Sequence, residues 1–144
     1  MIVLDANILL YAYDAEAAQH RVARAYLERV FSAPDPIGLP VHSIAAFLRI
    51  MTHPGLRSGR FSLEEAIETV DEWLSLPQVR LLAPGERHWA LLRRTLLEGR
   101  ATGRLVTDAE IAAITMEYGG ELQTNDRDFA RFPGLRWKNP LAKH

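Results

Sequence analysis

The chain has 144 residues, of which 48% are hydrophobic, and a formal net charge of -1. This length and apolar content suit one domain with its own core, and we expect a single domain over residues 1–144. No apolar run reaches the length of a membrane span and the N-terminus lacks the pattern of a secretory signal, so the expected protein is cytoplasmic, without membrane contact. The lack of cysteine excludes disulfides, thiolate metal sites and cysteine nucleophiles.

Charge is distributed unevenly along the chain, although the net charge alone gives no nucleic-acid signature. Residues 62–76 hold five acids and no base, whereas residues 86–104 hold five arginines against two glutamates. Residues 125–144 carry three arginines and two lysines against two aspartates. Fifteen of the seventeen basic residues are arginine, which suits bidentate phosphate contacts, but an arginine-rich genome would produce the same bias.

Short apolar runs alternate with longer helical segments along the first part of the chain. The pattern predicts a strand at 2–4, helices at 7–13 and 15–31, a strand at 37–39 and a helix at 41–51. Arg49 is the lone charge in the last of these helices, where it could reach the surface or bind a partner.

The second part of the chain continues this alternation. Ser62 and Glu65 predict a capping box for an acidic amphipathic helix, and Thr107 and Glu110 predict another for an almost wholly apolar helix. The remaining predicted elements are a strand at 79–82, a helix at 86–97, the apolar helix at 107–118 and a strand at 122–124.

The aromatic residues offer few candidates for stacking on bases. Phe47, Trp73 and Trp89 fall at helical spacing and are expected in the core. For Trp137, near the basic C-terminal segment, both a place in the core and stacking on a base stay possible predictions.

Strands that alternate with helices favour a parallel, doubly wound sheet. Ligands bind beyond the carboxyl ends of the strands in such sheets. Asp5 and Asp126 each lie one or two residues past a predicted strand, and Asp108 lies in the first turn of a neighbouring helix. We therefore expect these three acids at one edge of the sheet.

Each acid also has a local explanation. Asp5 could cap the helix that starts near Asn7, and Asn7 could itself be a cap or could orient Asp5 and a metal-bound water. Asp108 suits a helix N-terminus because of the helix dipole. Asp126 and Asp128 fall in a predicted turn, where aspartate is common. None of these explanations accounts for the convergence of the acids.

Several carboxylates at one edge, with no nearby lysine, raise one another's pKa unless a cation neutralises them. Mg²⁺ or Mn²⁺ fits such an all-oxygen set of ligands. A site of this kind can lower the pKa of a bound water and direct it at phosphorus. The predicted chemistry is hydrolysis of a phosphate ester. The five histidines show no zinc-binding spacing and do not compete for this role.

Four sequence blocks in a fixed order are more specific than any of these motifs alone. They are LDANILLYA at 4–12, AFLRIMTHP at 46–54, LVTDAEIAAI at 105–114 and TNDRDFARFPGLRW at 124–137. In these blocks the chain resembles PIN-domain ribonucleases, specifically VapC-type toxins of bacterial toxin–antitoxin pairs. The resemblance implies a PIN-like three-layer α/β/α sandwich with a mainly parallel sheet, and metal-dependent hydrolysis of RNA, with tRNA and rRNA as candidate substrates. It also implies a VapB-like antitoxin and a homodimer.

The resemblance assigns roles by position. The matching metal-binding and catalytic acids are Asp5, Asp108 and Asp126, with Asp128 as a frequent fourth catalytic acid. Thr124 matches a hydroxyl that precedes the last acids and helps to hold the site. The candidates for contacts with RNA phosphates are Arg57, Arg60, Arg127 and Arg131.

The chain departs from the family pattern in one respect. The family usually places a glutamate on the helix at 41–51, whereas this sequence has no acid between Asp35 and Glu64. Similar chains with the AFLRI and RFPGL blocks share this absence, so we do not read it as loss of activity. We expect one firmly held metal before two.

Two other hypotheses remain open. The missing glutamate favours an RNA-binding or scaffold module that kept the fold but lost catalysis. A haloacid dehalogenase-like phosphatase would use Asp5 as a covalent nucleophile. That class has an aspartate where Asn7 stands and a lysine near the late acids, whereas the only lysines here are Lys138 and Lys143.

Overall fold

The computed structural model describes residues 1–55 and 61–142. The strands are β1 (Ile2–Leu4), β2 (Ile37–Pro40), β3 (Val79–Leu82), β4 (Glu121–Gln123) and β5 (Trp137–Lys138). The helices are α1 (Ala6–Tyr13), α2 (His20–Ser32), α3 (Val41–Met51), α4 (Leu63–Ser75), α5 (His88–Gly99), α6 (Leu105–Glu117) and a 3-10 helix (Arg127–Arg131). No helix within the described ranges is both long and apolar enough to cross a membrane.

The five strands form one parallel sheet in the order β3-β2-β1-β4-β5. Strand β1 is central, and Leu4 at its end pairs with Gln123 at the end of β4. The backbone N–H of Asp5 donates to the Gln123 carbonyl at 3.1 Å. Asp5 and Thr124 therefore leave the sheet side by side at its carboxyl edge.

Each face of the sheet carries its own core. Leu4 packs with residues of α1 to α4 on one face, whereas Val3 packs with residues of α5 and α6 on the other. Alternate residues of a strand point to opposite faces, so β1 serves both cores. The predicted fold class, a three-layer α/β/α sandwich around a parallel sheet, is confirmed.

The aromatic residues divide between core and surface. Phe47 and Trp73 are buried, with ring centroids 4.7 Å apart, as predicted. The prediction that Trp89 lies in the core is wrong, because its side chain is 65% exposed. Helix α5 buries Leu91 and Thr95, and Trp89 points away from that face. Trp137 is partly buried against the core that contains Val3.

Three helix starts differ from the sequence prediction by two residues or more, and one of them is α5, which begins at His88 rather than at residue 86. Helix α2 begins at His20 rather than at residue 15. Helix α6 begins at Leu105 with Arg104 as its N-cap, so the predicted Thr107 capping box is wrong. By contrast, the Ser62 box at the start of α4 is confirmed by its two reciprocal hydrogen bonds.

The segment after β4 contains two short elements that the sequence pattern did not predict. Asp126 is the N-cap of the 3-10 helix, whose start falls in the predicted turn. The two-residue strand β5 follows and pairs with β4 in parallel. Both elements are too short for a periodic sequence signal.

Candidate metal centre

Asp5 both caps a helix and belongs to a polar cluster. It follows β1 in extended conformation, and its Oδ1 accepts a hydrogen bond from the Ala6 N–H at 2.8 Å. Its Oδ2 accepts a second bond from the Thr124 hydroxyl at 2.7 Å. The side chain is buried, so both oxygens need partners. The two roles considered for Asp5 on sequence grounds are therefore compatible.

The hydroxyl of Thr124 connects the ends of β1 and β4. It is fully buried and donates to Asp5 while it accepts from Asn7 Nδ2 at 3.1 Å and from the Asp126 N–H at 3.0 Å. A hydroxyl offers one donor and two acceptor positions, and all three are used here. Asn7 also donates to Asp5 Oδ2 at 3.2 Å, and its Oδ1 accepts from the Asn125 N–H at 3.1 Å.

Three other aspartates come close enough to share a cation. One carboxylate oxygen from each of Asp108, Asp126 and Asp128 lies within 4.8 Å of the other two. Asp126 Oδ1 also accepts from the Asp128 N–H at 2.9 Å, which fixes the two acids relative to each other. All three side chains are half-buried and supply only oxygen ligands, so this group fits a hard divalent cation.

Mutual repulsion and burial perturb the protonation of this cluster. Burial, followed by the charges of Asp126, Asp5 and Asp128, raises the pKa of Asp108 to about 6, and Arg104 partly opposes the shift. Burial also raises the pKa of Asp5, although hydrogen bonds from Thr124 and Ala6 oppose this. The carboxylates therefore interact electrostatically, and a bound cation would relieve their repulsion.

The arrangement differs in detail from the set Asp5, Asp108 and Asp126 named from the sequence. The closely spaced group contains Asp128, while Asp5 lies beside it with three hydrogen bonds already on its carboxylate. Its charge contributes to the raised pKa of Asp108, so Asp5 belongs to the same electrostatic unit.

Arg104 is a site residue that sequence reasoning missed. Its Nη1 lies 3.2 Å from Asp128 Oδ2, and its side chain is 80% exposed. Arg104 stands four residues before Asp108 in the sequence, but its contact is with Asp128, 24 residues away, which sequence spacing does not indicate. Arg104 brings a positive charge to the open side of the acidic cluster.

His42 and Glu110 form a second missed feature. His42 Nε2 contacts Glu110 Oε2, which joins the start of α3 to the first half of α6. Glu110 stands two residues after Asp108, so it points to a different side of α6, toward α3. Helix α3 has no acidic residue, and the acid that contacts its first turn, Glu110, belongs to α6. His42 Nδ1 and Ser43 Oγ are buried without a hydrogen-bond partner among the described residues.

We predict that Glu110→Ala destabilises the protein by about 1 to 2 kcal/mol, because His42 loses its partner in a partly buried contact. Urea unfolding at neutral pH measures this change. Glu68→Ala, which removes an exposed acid from α4, is the matched control and should have little effect. We expect added Mn²⁺ to raise the free energy of unfolding of Glu110→Ala and Glu68→Ala as much as that of the wild type. Loss of this increase in Glu110→Ala would instead place Glu110 among the metal ligands.

The arginines predicted to contact RNA have different outcomes. Arg127 and Arg131 are exposed at the two ends of the 3-10 helix that begins after Asp126. Their role in RNA binding stays a prediction. Arg57 and Arg60 lie outside the described residues.

Comparison with known proteins identifies related sequences over nearly the whole chain. The family model described as PIN domain matches residues 2–135. Ribonuclease VapC43 of Mycobacterium tuberculosis is 37% identical, over 98% of this chain and 96% of its own length. Ribonuclease VapC33 of the same species is 38% identical, over 99% of this chain and 100% of its own length.

Solved structures share the fold at lower sequence identity. VapBC2 from Rickettsia felis, bound to a promoter DNA fragment, matches with a TM-score of 0.70 and 19% identity, over 96% of this chain and 98% of that one. M. tuberculosis VapC20, described as a sarcin-ricin loop cleaving toxin, matches with a TM-score of 0.68 and 17% identity, over 94% and 99% of the two chains.

Proposed function

The chain belongs to the PIN-domain family, and on that basis we propose that it is a metal-dependent endoribonuclease and the toxin of a type II toxin–antitoxin pair. The observation that carries the proposal is the convergence of Asp108, Asp126 and Asp128 within 4.8 Å, beside the buried Asp5. Relatives with 37% and 38% identity are named ribonucleases, which supports RNA as the substrate class.

The same proposal includes a protein partner. Solved structures with this fold include VapBC2 and a toxin–antitoxin complex from Klebsiella pneumoniae. We propose a VapB-like antitoxin for this chain. An arginine of the antitoxin that entered the carboxylate cluster could replace the charge of the metal. An RNA substrate and an antitoxin of this kind both imply action in the cytoplasm.

The residues at the carboxyl edge of the sheet have different proposed roles. Asp108, Asp126 and Asp128 would hold Mg²⁺ or Mn²⁺, which when bound lowers the pKa of water and neutralises charge on the phosphate. Thr124 and Asn7 hold the Asp5 carboxylate in place through direct hydrogen bonds. We propose that Arg104, Arg127 and Arg131 attract RNA phosphates to this edge of the sheet through their positive charge.

We propose one firmly held cation rather than two. Helix α3 carries no acid on the segment from Ser43 to Phe47, and its His42 faces Glu110. A second cation would therefore lack the ligand that the family usually supplies from this helix.

Removal of divalent metal tests this function. We expect purified protein treated with EDTA and desalted to lose RNA cleavage, and Mg²⁺ or Mn²⁺ to restore it, because the repelling carboxylates need a cation to organise a water and the phosphate. Calorimetric titration with Mn²⁺ should show one tight site. Cleavage that persists without metal, after contaminating nucleases are excluded, would contradict the proposal.

The scaffold hypothesis predicts the opposite result in that titration. Its support is the absence of an acid on α3, and a failure of Mn²⁺ to bind would favour it. The phosphatase hypothesis is set aside, because the family match is to the PIN domain over residues 2–135 and no haloacid dehalogenase-like activity is expected of that family.

A further inference from the structure

A basic surface pocket lies at the edge of the sheet opposite the carboxylates. It has a volume of about 250 Å³, and the charged residues that line it are Arg87, Arg94 and Arg136. Its wall also includes Gly120, which immediately precedes β4, just as Arg136 immediately precedes β5. The pocket is therefore at the amino-terminal edge, whereas Asp5 follows the carboxyl end of β1.

This pocket brings together the two arginine-rich segments of the sequence. Arg87, the N-cap of α5, and Arg94, within α5, belong to residues 86–104, while Arg136 belongs to residues 125–144. Among the residues that the structure describes, no acid lines the pocket. Segments that are separate in the sequence thus produce a local excess of positive charge, although the chain as a whole carries a net charge of -1.

Two acids close to these arginines already have partners, and a third, Glu86, is exposed next to Arg87 in the chain. Glu98 lies one turn from Arg94 on α5, with 3.4 Å between Oε1 and the arginine Nε. The Glu117 carboxylate accepts the backbone N–H groups of Gly85 at 2.9 Å and of Arg87 at 3.0 Å. Exposed ion pairs of the Glu98 kind are weak, so Arg94 can exchange this partner for a ligand.

The opposite wall of the pocket has one anchored arginine and open space beside its backbone. Arg136 Nη2 donates to the Gly119 carbonyl at 2.8 Å, which fixes the position of its guanidinium. Gly119 and Gly134 adopt positive φ values of 67° and 84°, and an added Cβ at Gly119 would meet no atom within 4 Å. A ligand can therefore approach the backbone here closely. Several guanidinium groups around such an opening suit the oxygens of a phosphate.

We propose that this arginine pocket binds a phosphodiester group of the RNA substrate at a distance from the bond that is cleaved, an inference that rests on the proposed ribonuclease function. Helix α6 links the two places: Asp108 lies at the carboxylate cluster and Met116 lines the pocket. Eight residues of helix span about 12 Å, so a single RNA strand can touch both. The pocket holds the flank of the substrate while the carboxylates act on the scissile phosphate.

Direct binding measurements test the pocket without cleavage. All proteins carry Asp108→Asn, and the probe is a fluorescent single-stranded RNA of mixed sequence, about 20 nucleotides long, which exceeds the span of one site. Arg87→Gln/Arg94→Gln is compared with Arg21→Gln/Arg93→Gln. The control removes the same charge from exposed positions outside the pocket. Arg136 is left in place because it bonds to Gly119.

We expect the pocket variant to bind this RNA with a Kd about tenfold higher than that of the control, a loss that corresponds to two weakened phosphate contacts. The slope of log K against log salt should become shallower by about 1.4, because each contact to single-stranded nucleic acid contributes about 0.7. Equal Kd values and equal slopes for the two folded variants, with matching melting temperatures, would overturn the proposal.

Two further results separate the pocket from the function of the metal centre. With Asp108 intact, the pocket variant should keep its rate on an RNA too short to reach the pocket, but should show a higher KM on the long RNA. If the wild-type protein cleaves no RNA, the ribonuclease function fails, while the binding comparison still decides whether the pocket holds RNA. Polyglutamate serves as a second probe, which stands for an acidic protein segment. If the pocket variant binds RNA as the control does but loses binding to polyglutamate, the proposal is overturned in favour of such a segment.

Discussion

Asp108→Asn is expected to reduce RNA cleavage by roughly a thousandfold or more, because it removes a charged ligand from the group proposed to hold the cation. The same change should stabilise the metal-free protein at neutral pH. Asp108 lies within reach of Asp126 and Asp128, and its raised pKa records the cost of keeping it ionised there. A gain of about 1 to 2 kcal/mol is expected after allowance for solvent screening.

The raised pKa of Asp108 also predicts how the stability of the metal-free protein changes with pH. The pKa of Asp108 is about 6 in the folded protein against an ordinary value of 3.8, so the folded state binds the proton more tightly than the unfolded chain. The resulting stabilisation of the metal-free protein is full below pH 3.8 and is lost as the pH rises through about 6. Stabilisation by Mn²⁺ runs the other way, because protons and cation compete for the carboxylate.

Thermal unfolding between about pH 5 and about pH 7.5, with EDTA or with Mn²⁺, measures both effects. Asp71→Asn is the matched control, because it removes one exposed aspartate from α4, away from the cluster. The control should cleave RNA and respond to Mn²⁺ like the wild type. Retained cleavage in Asp108→Asn, or a full response of that variant to Mn²⁺, would show that Asp108 does not bind the cation.

Thr124→Val should lower cleavage by roughly 10- to 100-fold while the acids themselves stay in place, since groups that orient metal ligands have effects of this size. Valine preserves the shape but loses the hydroxyl that donates to Asp5 and accepts from the Asp126 N–H. The half-buried Asp126 N–H then lacks an acceptor and the Asn7 amide keeps only the Asp5 carboxylate, at a stability cost of about 1 to 3 kcal/mol.

Thr115→Val is a close control for this substitution. Thr115 is also fully buried, but its hydroxyl donates only to the Ile111 carbonyl within α6, at 2.8 Å. Steady-state cleavage and urea unfolding compare the two variants, and Thr124→Ser should recover most of the activity. Equal losses in both valine variants would mean that Thr124 contributes to packing alone.

Much of the architecture follows from local sequence pattern. The apolar run at residues 2–4 and the short segment at 122–124, which follows a glycine pair, predict strands, and parallel strands place the residues that follow them at one edge of the sheet. Asp5 and Asp126 could therefore be assigned to one region without coordinates. The capping box of α4 was likewise predictable, because both of its partners lie within one helical turn.

The errors arose where a choice depended on distant partners. Thr107 and Glu110 satisfy the sequence rule for a capping box, yet Glu110 contacts His42, which is 68 residues away. Trp89 has the spacing of a core residue, but α5 turns Leu91 toward the interior and leaves Trp89 exposed. Sequence spacing defines the possible faces of a helix, and packing then selects which face is buried.

By itself, the sequence of this PIN-domain protein determined the parallel α/β sheet and the acids at the strand ends, because these depend on local periodicity and on residue type. The three-layer fold class and the acid missing from α3 came from the resemblance to the family. Only the tertiary structure decided which acids bring carboxylate oxygens within 4.8 Å of one another and how Thr124 connects Asp5 to Asp126. It also decided where the two arginine-rich segments meet. These features depend on strand register and helix rotation, which are set by contacts between residues far apart in the chain.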